Sequence, residues 1–164
     1  MDRRSRGDGD ARRCVRQRRR HTKTVTAADY SFQNLPKEVD VGTEFKLKNS
    51  STKELHEMVV IRIPDAEKRS VADLVKLPEA QQEAVFGGGQ PAMVLLAPPG
   101  GGEMIKAVGD GKLTEKGRYA VLCAIPTGAD PQAYLNAPPS DGPPNVPGGP
   151  PHLVNGMFGE ITVK

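Results

Sequence analysis

The chain has 164 residues, enough for one domain with a buried core and short of comfortable room for two. Its formal charge of +3 joins two unlike regions: residues 1–23 hold ten Lys/Arg and three Asp, and the rest hold thirteen Lys/Arg and seventeen Asp/Glu. A mildly acidic body with 4% aromatics and no Trp argues against a nucleic-acid surface, and no apolar run reaches the roughly eighteen residues that a membrane span needs.

Residues 1–23 read as a disordered basic tail, because a segment so charged and so poor in apolar side chains cannot bury a core. No apolar stretch follows its arginines, so a secretory signal is not expected. Cys14 lies in this tail and Cys123 in an apolar strand pattern, placements that do not read as a disulfide framework.

The domain is expected over residues 24–164. Thr24 to Phe32 is rich in β-branched and aromatic residues and predicts a first strand, and Val39 to Gly42 a turn. Thr43-Glu44-Phe45-Lys46-Leu47-Lys48-Asn49 alternates apolar and polar residues, the period of a strand with one wet face. The Asn-Ser-Ser-Thr cluster ends it, and His56 to Ile63 continues as a more buried strand.

Over residues 69–86 the period changes to that of a helical insertion. Ser70 and Asp73 have capping-box spacing, Val71, Leu74 and Val75 share a face, and Pro78 is placed to start a second short helix that Gly87-Gly88-Gly89 must end. Ala92 to Leu96 predicts another strand, Glu103 to Val108 a weaker one, and Lys112 to Gly117 a turn. In Gly117 to Cys123, Tyr119, Val121 and Cys123 point one way and Ala120 and Leu122 the other, both faces apolar enough for burial.

Residues 130–151 contain eight Pro and three Gly and read as a stiff loop with neither ladder nor helix. Gly159 to Lys164 closes the chain as a last strand. About seven short strands separated by turns, with a helical excursion, predict an all-β fold: a two-sheet antiparallel Greek-key sandwich.

Four side chains with metal chemistry stand at the ends of these elements: His56, Cys123, His152 and Met157. Two imidazoles, a thiolate and a thioether are the set that holds copper in a trigonal site with a long axial bond, which suits one-electron transfer. Each also has an ordinary reading alone: a strand histidine, a small buried thiol, a loop histidine after two prolines, and a core methionine. Zinc would use two His and one Cys but does not call for the methionine. His21 belongs to the tail and is not expected to be a ligand.

Catalysis has little support. There is no G-x-S-x-G elbow or phosphate loop, and His56-Glu57 lacks the second histidine of the H-E-x-x-H zinc motif.

The Asn-rich turn before His56, the approach Gly117-Arg118-Tyr119-Ala120-Val121-Leu122-Cys123, and His152 followed by Gly156-Met157 and a final strand resemble the cupredoxin family, the plastocyanin- and azurin-like blue copper proteins. The resemblance covers about Val25 to Lys164. It implies a cupredoxin-like domain with one type 1 copper held by His56, Cys123, His152 and Met157, no enzymatic activity, redox protein partners and an extracytoplasmic location. It also implies electron exit at the ring edge of His152, inside an apolar patch of Pro150, Pro151, Leu153 and Val154.

Two departures stand out. Only a few residues separate the Cys from the second His in familiar members, against twenty-eight here, and the residue after the first His, often Asn, is Glu57. A monomer is expected. The competing expectations are a copper-free cupredoxin-like interaction module and a copper storage or delivery protein.

Overall fold

Alternation sets the first sheet. In the computed structural model, which describes residues 21–87, 90–138 and 143–164, Thr43, Phe45 and Leu47 are buried while Lys46 and Lys48 are exposed. This strand is β4 (Thr43–Asn49), preceded by β1 (Thr22–Ala28), β2 (Ser31–Gln33) and β3 (Glu38–Val39). The chain continues through β5 (His56–Arg62), α1 (Val71–Leu74), α2 (Glu79–Phe86), β6 (Met93–Ala97), β7 (Ile105–Val108), β8 (Lys112–Leu113), β9 (Gly117–Leu122), α3 (Pro131–Leu135) and β10 (Phe158–Val163). Single 3-10 turns lie at Pro99–Gly101 and His152–Asn155.

The strands form two sheets, in the orders β2-β1-β4-β8 and β3-β10-β9-β5-β6-β7. Val25, Phe45 and Leu47 of the first meet Met58, Val60, Leu95, Tyr119, Val121 and Ile161 of the second in one apolar cluster. The other face of β9 presents Ala120 and Leu122 to a second cluster with Ile63, Val71, Leu74 and Phe86, which is how the helical insertion covers the larger sheet. Ser70 caps α1 by accepting the Asp73 N–H at 3.2 Å, as the capping-box spacing predicts. Among the described residues no helix is long and apolar enough to cross a membrane.

The structure corrects four expectations. The sheets are mixed rather than antiparallel, since β1 runs parallel to β4 and β10 parallel to β3. Two reversals fall between β1 and β4: β2 folds back on β1, and the chain then crosses to the second sheet at β3 and re-enters beside β1 in its original direction. Lys112-Leu113, read as part of a turn, pairs with β4 as a two-residue strand, and β2 and β3 have only three and two residues, which is why the strands among the described residues number ten. The proline-rich excursion does hold a helix, α3, because Asp130 caps it through the Ala133 N–H at 2.6 Å and Pro131 occupies its first turn, the one helical place where a missing N–H is harmless. Finally, β1 starts at Thr22, inside the segment read as tail, where the His21 carbonyl accepts the Glu44 N–H. The rest of the basic tail, with Cys14, lies outside the described residues.

Candidate metal centre

Asn49 shapes the turn that delivers the first histidine. Its Nδ2 donates to the carbonyls of Glu54 and Ala97, both at 2.8 Å, and its Oδ1 accepts the Ser51 N–H at 2.8 Å. His56 then opens β5 opposite Ala97. Cys123 follows β9 directly, and its N–H donates to the Met157 carbonyl at 3.1 Å.

A backbone zipper brings the second histidine back. Leu153 N–H donates to Cys123 (2.8 Å), His152 to Ile125 (3.0 Å), Thr127 to Pro150 (3.1 Å) and Gly149 to Thr127 (2.8 Å). The connection between Cys123 and His152 is therefore pinched at its base, so its length does not separate its ends. Gly156, at φ +103°, then turns the chain from the 3-10 turn into β10, and the buried Met157 donates its N–H to the His152 carbonyl at 3.1 Å.

Three donor side chains converge as a result. Nδ1 of His56 lies 3.2 Å from Nδ1 of His152, Sγ of Cys123 lies 3.3 Å from the same His152 nitrogen, and the three ligand atoms lie within 4.8 Å of one another. All three residues are fully buried, as is Met157.

Electrostatics keep the imidazoles neutral. Burial, reinforced by the neighbouring His152, pushes His56 down to about 4, and burial lowers His152 as well. The neutral ring is the form that binds metal. The outer Nε2 atoms are buried without a hydrogen bond, yet each faces a carboxylate, His56 toward Asp29 at 3.6 Å and His152 toward Glu54 at 3.5 Å. Carboxylates behind ligating imidazoles orient the ring and fix its tautomer, leaving Nδ1 free for the metal.

Around the sulfur, burial and then the charge of Glu57 push the Cys123 thiol up to about 12, so a metal entering here displaces its proton. The Glu57 N–H donates to Sγ at 3.4 Å. The Glu57 carboxylate accepts from Ala124 N–H at 3.0 Å and from the Tyr134 hydroxyl at 3.1 Å. Burial raises Glu57 to about 7 against the pull of those two bonds.

These residues fit one type 1 copper ion: two neutral imidazole nitrogens with orphaned outer atoms, a sulfur supplied with an N–H donor, and a buried methionine tied by backbone bonds to the cysteine and the second histidine. His21 is exposed and apart. His152, the expected exit, is itself fully buried. Its ring is covered, with the Tyr30 ring edge-on at 5.2 Å and Glu54 at the outer nitrogen, although Val154 beside it is 64% exposed.

Tyr30, Glu54 and Tyr134 escaped the sequence reading. Tyr30 holds φ +62°, a conformation that tyrosine does not advertise. Asn49 is read in the sequence as a strand stop and as part of the turn before His56, without the three hydrogen bonds by which it builds that turn.

No family model matches the chain, and no curated protein matches it. Solved structures similar to it include three auracyanins. Dithionite-reduced auracyanin from the photosynthetic bacterium Roseiflexus castenholzii is 18% identical over 87% of this chain and 96% of its own, with a TM-score of 0.47. Auracyanin A, a "blue" copper protein from the green thermophilic photosynthetic bacterium Chloroflexus aurantiacus, is 15% identical over 87% and 99%, with a TM-score of 0.44. Auracyanin B is 18% identical over 88% of each chain, with a TM-score of 0.38. At such identities and scores the site rests on its own residues. A β fold of two packed sheets and a buried His56, Cys123 and His152 cluster are consistent with the cupredoxin resemblance carried by the sequence motifs.

Proposed function

We propose that this chain is a type 1 copper protein that carries single electrons between redox protein partners, working as a monomer outside the cytoplasm and not as an enzyme. The observation behind it is the convergence of two imidazole nitrogens and one sulfur within 4.8 Å in a fully buried pocket. His56, Cys123, His152 and Met157 would hold the ion. Bound copper supplies a one-electron couple that a mixed soft and borderline donor set tolerates in both oxidation states.

The protein's share is positioning and proton bookkeeping. The zipper between residues 123–127 and 149–153 holds His152 against Cys123. The Glu57 N–H stabilises the sulfur as it loses its proton, and Asp29 and Glu54 face the outer nitrogens of the rings. Covering of His152 by Tyr30 bears on the storage or delivery reading, since handing over an ion needs an open path whereas an electron crosses one ring's thickness.

Adding Cu(II) to purified apoprotein tests the proposal. An intense blue or green thiolate-to-copper band at one ion per chain, absent in Cys123→Ser, supports it. A colourless protein with loose copper overturns it in favour of a copper-free interaction module.

A further inference from the structure

Glu57 is a carboxylate 3% exposed, and burying such a group is unfavourable unless its oxygens are satisfied. Here both are, by segments far apart in the chain. One oxygen accepts the N–H of Ala124, the residue after Cys123, and the other accepts the hydroxyl of Tyr134 in α3. Residue 57 also gives its own N–H to the cysteine sulfur.

Tyr134 is 4% exposed and packs in the same apolar cluster as Cys123, Ile125 and Ala129. Among the described residues, its bond to Glu57 is the side-chain hydrogen bond that joins α3 to a strand. The excursion that begins beyond the zipper is long, and each of its residues laid down in order on the fold costs backbone entropy that contacts must offset.

We propose that Glu57 is a positioning residue that latches helix α3 onto the strands carrying His56 and Cys123, and so keeps water and small reagents from the sulfur. The proposal deepens the copper reading by assigning the long excursion a task at the same site, but its first test needs no metal.

In a Cys14→Ser background, the rate at which iodoacetamide labels Cys123 in the apoprotein reads the latch, with amide exchange over residues 131–138 as a second measure. Tyr134→Phe keeps the ring and loses the bond, so labelling and exchange are expected to rise about tenfold. Glu57→Ala releases Ala124 as well and is expected to raise labelling about a hundredfold. Glu57→Gln rescues, staying within about threefold of the parent, because a carboxamide accepts from Ala124 through its oxygen and donates its NH2 to the Tyr134 oxygen.

Copper affinity gives an independent arm, falling about 10- to 100-fold in Glu57→Ala while Glu57→Gln stays close to the parent. Parent-like labelling and exchange in Tyr134→Phe overturn the latch, as does equal loosening in Glu57→Gln and Glu57→Ala. If Glu57→Ala does not fold, Tyr134→Phe decides alone. Faster labelling of Tyr134→Phe in a protein that takes up no copper leaves the latch standing and defeats only the copper reading.

Discussion

Nδ1 of His56 and Nδ1 of His152 face each other at 3.2 Å across a sequence separation of 96 residues. Two neutral imidazoles in that position satisfy each other only if one carries its proton on Nδ1, while both outer nitrogens stay buried without a hydrogen bond. Both rings holding one metal through the inner nitrogens would carry the proton on Nε2, toward Asp29 and Glu54, and the conflict would be gone.

The proposed ligand role of Met157 separates from its packing role in Met157→Leu. The swap conserves volume, so the apoprotein should lose less than about 1.5 kcal/mol. The copper form should keep its thiolate band but shift in reduction potential, since the axial ligand tunes it. Voltammetry that finds the parent potential makes Met157 core filler.

Asn49→Ala removes three hydrogen bonds that build the turn before His56. Denaturant unfolding should show a loss of about 2–4 kcal/mol, because the Ala97 and Glu54 carbonyls lose a donor they share in a tight turn. A loss within the error of the measurement contradicts the role given to Asn49.

The apoprotein's pH dependence follows from opposed shifts. His56 sits at about 4 when folded against 6.5 unfolded, so its contribution is full above 6.5 and is lost as pH falls toward 4. Glu57 sits at about 7 against 4.5, so its contribution is present below 4.5 and is lost as pH rises toward 7. The two nearly cancel between, and the lowered His152 tips the balance toward the histidines. Thermal melting from about pH 4.5 to 6.5 should therefore show stability rising gently with pH, and more steeply in Glu57→Gln, where only the histidine slopes remain. An unchanged or shallower slope in that variant contradicts the assignment.

Tyr30→Gly uncovers His152 and at the same time removes a non-glycine residue from φ +62°. Lost ring packing is offset by backbone relief of about 1 kcal/mol, so stability should change little. The electron self-exchange rate of the copper form should rise. A rate equal to the parent's means that electrons do not pass by way of the covered ring edge.

The sequence was most legible where periodicity and chemistry coincide. The alternation of Thr43 to Asn49 and the two apolar faces of Tyr119 to Cys123 reappear as β4 and as the strand between the two clusters. His56, Cys123 and His152 are legible as a set, because one by one each has an ordinary reading and their joint donor chemistry sets them apart. What was hidden depends on pairing over distance. The prolines of residues 130–151 masked the cap that Asp130 and Pro131 provide, and with α3 unread, Tyr134 had no visible partner in Glu57. The zipper that cancels the long Cys-to-His spacing consists of backbone bonds, which leave almost no mark on side-chain identity.

X-ray absorption on the copper-loaded protein addresses the metal centre most directly. The account predicts one copper per chain bonded to two imidazole nitrogens and one short sulfur, with that sulfur gone in Cys123→Ser. A spectrum with only nitrogen and oxygen neighbours, unchanged by that substitution, would contradict it.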